Sequence, residues 1–156
     1  MLIRFIHWFA SKLRRRDICG EDGTLYLSRY KVVGWMPGDT RRWPFSIYLH
    51  HFHRPDLDDA PHSHPWRWAV ALILSGGYRE RRGEFATQDA RYRRLGPGAL
   101  NVIRADDFHV VLELLGRETW TLFVVGPKTS SWGFKVAGRV IPSRERLRER
   151  GIEPSY

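Results

Sequence analysis

The spacing of apolar residues changes period along the chain. Over "MLIRFIHWFASKLRRR", Leu2, Phe5, Ile6, Phe9 and Leu13 recur at helical intervals, while Arg4, Lys12 and Arg14–Arg16 take the polar side. That pattern predicts an amphipathic helix and linker over residues 1–23. From Thr24 the period shortens to that of strands. The runs "TLYLSRYKVVGW", "PFSIYLHHF", "RWAVALIL", "ARYRRL", "ALNVI", "FHVVLEL" and "TWTLFVV" are separated by "MPGD", "RPDLDDAP", "SGG", "RRGE", "GPG" and "GRE". Many short strands between turn signals predict an all-β sandwich or barrel over 24–142. The segment "PSRERLRERG" predicts a short helix within 143–156, opened by Ser143 and closed by Gly151, with a loose tail behind it. There is no internal repeat and no low-complexity tract.

Composition narrows the classes. A length of 156 residues with 42% apolar and 13% aromatic content suits one well-packed domain and excludes a mostly disordered chain. The single cysteine, Cys19, leaves no intramolecular disulfide framework and no cysteine-rich zinc site, which fits a reducing, cytoplasmic setting. No apolar run approaches the ~20 residues that span a bilayer. The short apolar stretch at the start, with its basic cluster behind, is a poor secretory signal. Such a helix packs on its own sheet or on a second subunit, the latter giving a homodimer, or it lies on a membrane surface. The formal charge of +9 makes an anionic partner such as nucleic acid a further reading, although the arginines are scattered.

The histidines carry the chemistry. His50, His51, His53, His62 and His64 are five of the seven in the chain. His62 and His64 are two apart, so on an extended segment both rings project to one side. His109 lies in the later β-like run "FHVVLEL", which a barrel can bring opposite the pair. Three imidazoles with open positions make a catalytic kind of metal site. Fe(II), Zn(II), Ni(II), Mn(II) and Cu(II) all accept neutral imidazole, so the donor set does not choose the metal. In "FSIYLHHFH", Ser46, Tyr48, His50 and Phe52 share one face, and Ile47, Leu49, His51 and His53 share the other.

The order and intervals of these histidines resemble the two motifs of the cupin family, spanning Asp56–Glu113. His62-Ser63-His64 is followed by Ala69 at the position of a glutamate and by Gly76. Gly98 is followed by Arg104, Asp106 and His109. The chain is also similar to small cupin-like proteins of bacteria and phages in "LHHF", "HSHPW", "GGY", "FH", "TL" and "WGF". The resemblance implies a double-stranded β-helix, or jelly-roll, barrel. It departs from the family where Asp56 replaces a glycine, Ala69 the usual carboxylate ligand, Arg104 a proline, and Glu113 a frequent asparagine. It therefore implies a three-histidine centre, or one whose fourth ligand comes from elsewhere, such as the Asp56–Asp59 loop.

The resemblance singles out His50 as an inward residue near the metal, either a ligand or a partner of one. His51 and His53 are expected at the rim or surface, and His7 is unrelated. Asp106 or Asp107 either orients a ligating ring from behind or shapes a turn. Arg104, if inward, anchors an anionic substrate. Tyr48 and Trp66 are further candidates beside the substrate, and Trp68, Tyr78, Trp120 and Trp132 either line a pocket or fill the core. The leading expectation is a metal-dependent enzyme of the non-haem Fe(II) oxygenase type acting on a small, anionic substrate; a zinc isomerase or hydrolase belongs to the same class. The alternatives are a cupin that only binds a sugar or other small ligand, and a basic nucleic-acid-associated protein of the phage type.

Overall fold

Short strands with alternating burial order the chain into two layers. The structure, a computed structural model, describes residues 1–19, 23–41, 43–56, 60–83, 90–129 and 131–149. Helix α1 (Leu2–Ala10) leads into β1 (Arg14–Cys19), β2 (Leu25–Val33), β3 (Ser46–Phe52), β4 (Trp68–Ser75), β5 (Tyr78–Arg82) and β6 (Arg91–Leu95). Strands β7 (Leu100–Arg104), β8 (His109–Leu114), β9 (Thr119–Val125), β10 (Gly133–Val136) and β11 (Arg139–Pro142) follow, and α2 (Ser143–Glu149) closes the described chain. An antiparallel six-stranded sheet has the order β1-β2-β3-β9-β4-β7; a second layer holds β6-β5-β8 and the hairpin β10-β11. His62 joins these two pieces, bridging His109 on β8 and Phe134 on β10. This is the expected jelly-roll barrel with a helix at each end.

Between the layers, Met36, Tyr48, Ala69, Ala71, Ile103, Phe123 and Val125 form one cluster, and Ile73, Tyr78, Leu95 and Val111 another. The outer face of the large sheet is covered too. Ile6 and Ala10 of α1 pack there on Tyr30, Leu49 and Trp120. Strand β3 is therefore buried on both faces, with Tyr48 and His50 turned to the barrel and Leu49 to the helix.

Helix α1 is shorter than its apolar spacing predicts. Ser11 and Lys12 close it, and Arg14–Arg16 pair with Lys31, Tyr30 and Arg29 of β2. Sheet hydrogen bonds along an open edge outweigh the helical preference of an Arg run, and Asp39 meets Arg14 at 2.6 Å. The buried seam also differs. Ile6 and Ala10 face inward with Ile3, Phe9 and Leu13 beside them, while Leu2 and Phe5 stay exposed.

The β10-β11 hairpin was not among the expected strands. Ala137 and Gly138 both have positive φ, at 48° and 76°, as a two-residue primed hairpin turn requires; the pair "AG" is a weak sequence signal for it. Helix α2 starts at Ser143 as expected, and Gly151 and the tail lie outside the described residues. No described helix is long and apolar enough to cross a membrane.

Candidate metal centre

The segment 61–64 lies extended between β8 and β10. The His62 N–H donates to the His109 carbonyl at 2.9 Å, the His109 N–H returns the bond at 3.0 Å, and the Ser63 N–H reaches the Gly133 carbonyl at 2.9 Å. Backbone pairing thus fixes two of the three rings relative to each other before any side-chain contact is made. His62, His64 and His109 come together with one ligand atom from each within 4.8 Å of the others. The Nε2 atoms of His64 and His109 are 2.8 Å apart. Two nitrogens about 2.1 Å from one ion and at right angles to each other are about 3.0 Å apart, so the spacing fits shared ligation. Among the described residues no carboxylate joins the group, and Ala69 is packed in the core at 1% exposure.

Burial and the neighbouring charges of His109, His62, Arg29 and His50 hold the His64 imidazole well below its ordinary pKa. It is neutral at physiological pH, the form a metal needs.

Behind His109 stands Glu80, a residue that sequence reasoning missed. Its Oε2 lies 3.1 Å from His109 Nδ1 and accepts from Asn101 Nδ2 at 2.8 Å. Its Oε1 accepts from Arg82 Nε at 3.1 Å and Arg93 Nη1 at 3.3 Å. A carboxylate only accepts, so His109 carries its proton on Nδ1 and presents the Nε2 lone pair to the cluster. Glu80 is fully buried. Burial pushes its carboxyl up, but His109, Asn101 and Arg82 together outweigh this and lower it to about 2. The available signal was parity: in "YRERR", Tyr78, Glu80 and Arg82 share a face, and Glu80 is the lone acid in the strand.

A second missed residue is Arg29 on β2. Its Nε donates to His50 Nε2 at 3.0 Å. Its guanidinium carbon lies 5.0 Å from the centre of the Tyr48 ring and 5.8 Å from that of Trp66. Trp66 in turn stacks beside His64, with ring centroids 5.7 Å apart. One cation therefore stands inside the barrel, faced by aromatic rings, next to the histidines.

His50 is inward and buried, as expected, and stacks on Phe123 at 4.8 Å. It is not one of the three converging rings, because its Nε2 is spent on Arg29. Burial and the Arg29 charge keep it neutral. The Tyr48 hydroxyl donates to the Trp35 carbonyl, so its ring rather than its oxygen faces the site.

The expectation of an inward Arg104 is overturned. In β7, Asn101 and Ile103 face in while Leu100, Val102 and Arg104 face solvent. Asp106 is exposed, and the carboxylate that meets the His109 ring is Glu80, from another strand. Asp107 shapes the turn, its Oδ2 accepting from the Arg104 N–H at 2.8 Å and pairing with Arg82 at 3.0 Å. Asp56 pins its loop to β8, accepting from the Val111 N–H at 2.7 Å; Asp58 and Asp59 lie outside the described residues. Glu113 is exposed opposite Arg79.

The aromatics divide. Trp132 sits 6.1 Å from His62, whereas Trp68 is exposed, Tyr78 fills the core, and Trp120 is buried beneath α1. His51 stacks on Trp120 at 4.1 Å, and His53 bonds Ser28 at 2.9 Å, both on the helix side of the sheet. His7 meets Glu118 there at 2.7 Å.

No family model matches the sequence, and no curated protein matches it. Solved structures do match in fold. An oxalate decarboxylase from Lactobacillus farciminis, in a formate complex, aligns with a TM-score of 0.56 at 14% identity, over 89% of this chain and 36% of the other. The Fe(II) form of HppE with its substrate aligns at 0.55 and 13% identity, over 74% of this chain and 57% of the other. The lyase DddQ from Ruegeria pomeroyi DSS-3 aligns at 0.55 and 15% identity, over 86% and 63%. The chain thus spans less than two thirds of each of these three structures.

Proposed function

The chain has the cupin fold, and we propose that it is a metal-dependent enzyme of the non-haem Fe(II) oxygenase type, acting on a small anionic substrate. The observation that carries this reading is the convergence of three imidazoles, with no carboxylate among the described residues, beside an inward arginine. Three protein ligands leave positions for substrate on an octahedral ion. The HppE neighbour is an Fe(II) protein with a bound substrate, which agrees with iron as the ion.

Bound Fe(II) supplies redox chemistry and coordination; the chain supplies geometry and charge. Glu80 holds the His109 ring and its proton in place. The segment 61–64, tied to both β8 and β10, fixes the other two rings. Arg29, steadied by His50 and faced by Tyr48 and Trp66, offers a planar cation to a carboxylate or phosphonate. Phe123 and Trp66, stacked around His64 and His50, keep the inner side of the centre apolar.

The test is oxygen uptake by the iron-loaded protein across a panel of small carboxylates and phosphonates. Iron-dependent uptake is expected, and Arg29→Gln should raise KM by about 10- to 100-fold while leaving iron binding intact, as expected for loss of a charged contact of about 1.5–3 kcal/mol. Oxygen uptake that is the same with and without iron, or an Arg29→Gln protein with unchanged KM for every substrate, contradicts the proposal.

A further inference from the structure

The apolar residues of α1 fall on two faces, and only one of them is used by the fold. Ile3, Ile6 and Ala10 point at the sheet. On the opposite side Met1, Leu2, Phe5 and Trp8 are 108%, 58%, 57% and 58% exposed. Phe5 and Trp8 are adjacent, with ring centroids 5.7 Å apart. Single exposed apolar residues are ordinary, but three large ones on nine helical residues, with Met1 at the N-cap beside them, form a patch.

The charge around this patch has one sign. Through residue 16 the sequence holds Arg4, Lys12, Arg14, Arg15 and Arg16 and no Asp or Glu. Arg14 and Arg15 are answered by Asp39 and Asp17. Arg4 is exposed on the helix, one turn before Trp8 on the same face, and Lys12 is exposed in the turn that closes the helix. Glu118 is engaged with His7 on the inner flank.

These features select the occupant. A second copy docked face to face would set cations against cations. Nucleic acid bases give Phe5 and Trp8 a stacking surface but offer nothing to Met1 and Leu2. An anionic lipid surface satisfies both groups, since acyl chains take the apolar side chains and headgroup phosphates take the cations. The inner face of α1 is on the sheet, so a helix lying flat in the interface leaves the barrel in water.

We propose that the outer face of α1 docks the protein on an anionic membrane surface, with Leu2, Phe5 and Trp8 at the headgroup boundary and Arg4 and Lys12 on phosphates. This is independent of the metal centre, and neither depends on the other.

The test is co-sedimentation of the full chain with phosphatidylcholine vesicles, with and without phosphatidylserine. Binding is expected with phosphatidylserine and is expected to weaken as salt rises. Phe5→Ser with Trp8→Ser should reduce binding at least about tenfold, and Arg4→Glu with Lys12→Glu should also weaken it, with circular dichroism as in the wild type for both pairs. No vesicle binding at low salt overturns the proposal. So does equal binding with and without phosphatidylserine, a Trp8-dependent dimer without vesicle binding, or Trp8-dependent capture of single-stranded oligonucleotide in place of vesicles.

Discussion

Replacing Glu80 with glutamine changes one atom and removes one charge. Four donors converge on this carboxylate: Asn101 and His109 on Oε2, and Arg82 and Arg93 on Oε1. A glutamine keeps one acceptor oxygen, so its NH2 group must face either the Asn101–His109 pair or the two arginines. Either way a donor pair loses this acceptor, and the cost is larger for Asn101 and His109, which are buried, than for the partly exposed Arg82 and Arg93. Charge-assisted hydrogen bonds contribute about 1.5–3 kcal/mol each, and breaking a buried charged network by removing one partner costs about 3–5 kcal/mol. For a domain of this size, ~2–4 °C per kcal/mol puts the loss in melting temperature near ~10 °C.

The stabilising charge is present across the neutral range. Folding lowers the Glu80 carboxyl from the ordinary 4.5 to about 2, so its contribution is complete above pH 4.5 and is lost as pH falls through about 2. A second effect falls on the centre. With Glu80 neutral, His109 Nδ1–H loses its carboxylate acceptor, and metal affinity should drop by about 10- to 100-fold. Competition titration against a chromophoric chelator, on protein that is still folded at the assay temperature, reads this directly. Metal affinity within twofold of the wild type, even with a lowered melting temperature, would refute the role assigned to Glu80.

Two further predictions concern the sheet's helix side and one turn. Burial, then the charge of His53, and beyond it those of His7 and Arg15, lower the His51 imidazole to about 4 despite the opposing pull of Glu118. Its folded pKa lies below the unfolded value, so stability is full above pH 6.5 and declines as pH falls towards 4. Allowing for its partial exposure, the loss is about 1 kcal/mol by pH 5, seen in urea melts at pH 7.5 and 5; His51→Phe should flatten that dependence, and an unchanged slope would contradict it. Gly34 has φ +98°, and a Cβ there would sit 2.3 Å from Ser46 Oγ and 2.6 Å from its Cα. Gly34→Ala should therefore cost at least about 2 kcal/mol, well above Gly23→Ala, whose added Cβ meets nothing within 4 Å at φ +73°; equal losses in thermal melts would remove the argument.

The centre was legible where a local rule sufficed. His62 and His64 share a side because strands have period two, and the long interval to His109 matches a known pair of motifs. Parity marks Glu80 as the lone acid of its strand, but its role was not legible because its partners come from β5, β6, β7 and β8, and the β5–β8 register shifts between Arg79 and Glu80, so no linear spacing ties it to His109. Arg29 was hidden in the same way, two strands from the motif. Arg104 was misassigned although β7 alternates cleanly: once Ile103 is placed in the core, Arg104 must face out. The end of α1 was obscured because Leu13 continues the helical spacing while the backbone of Arg14–Arg16 is claimed by β2. Local pattern thus fixed which faces are apolar, and tertiary pairing decided which polar groups meet.

On this reading His62, His64 and His109 together hold one transition-metal ion. Anaerobic equilibrium dialysis of the untagged protein against Fe(II), followed by metal analysis, tests it most directly. The account predicts one tightly held ion per chain, lost in His62→Ala combined with His109→Ala and retained in His51→Ala and His53→Ala, with all variants folded by circular dichroism. An ion bound equally well after His62 and His109 are both removed, or no ion bound by the wild type, would contradict it.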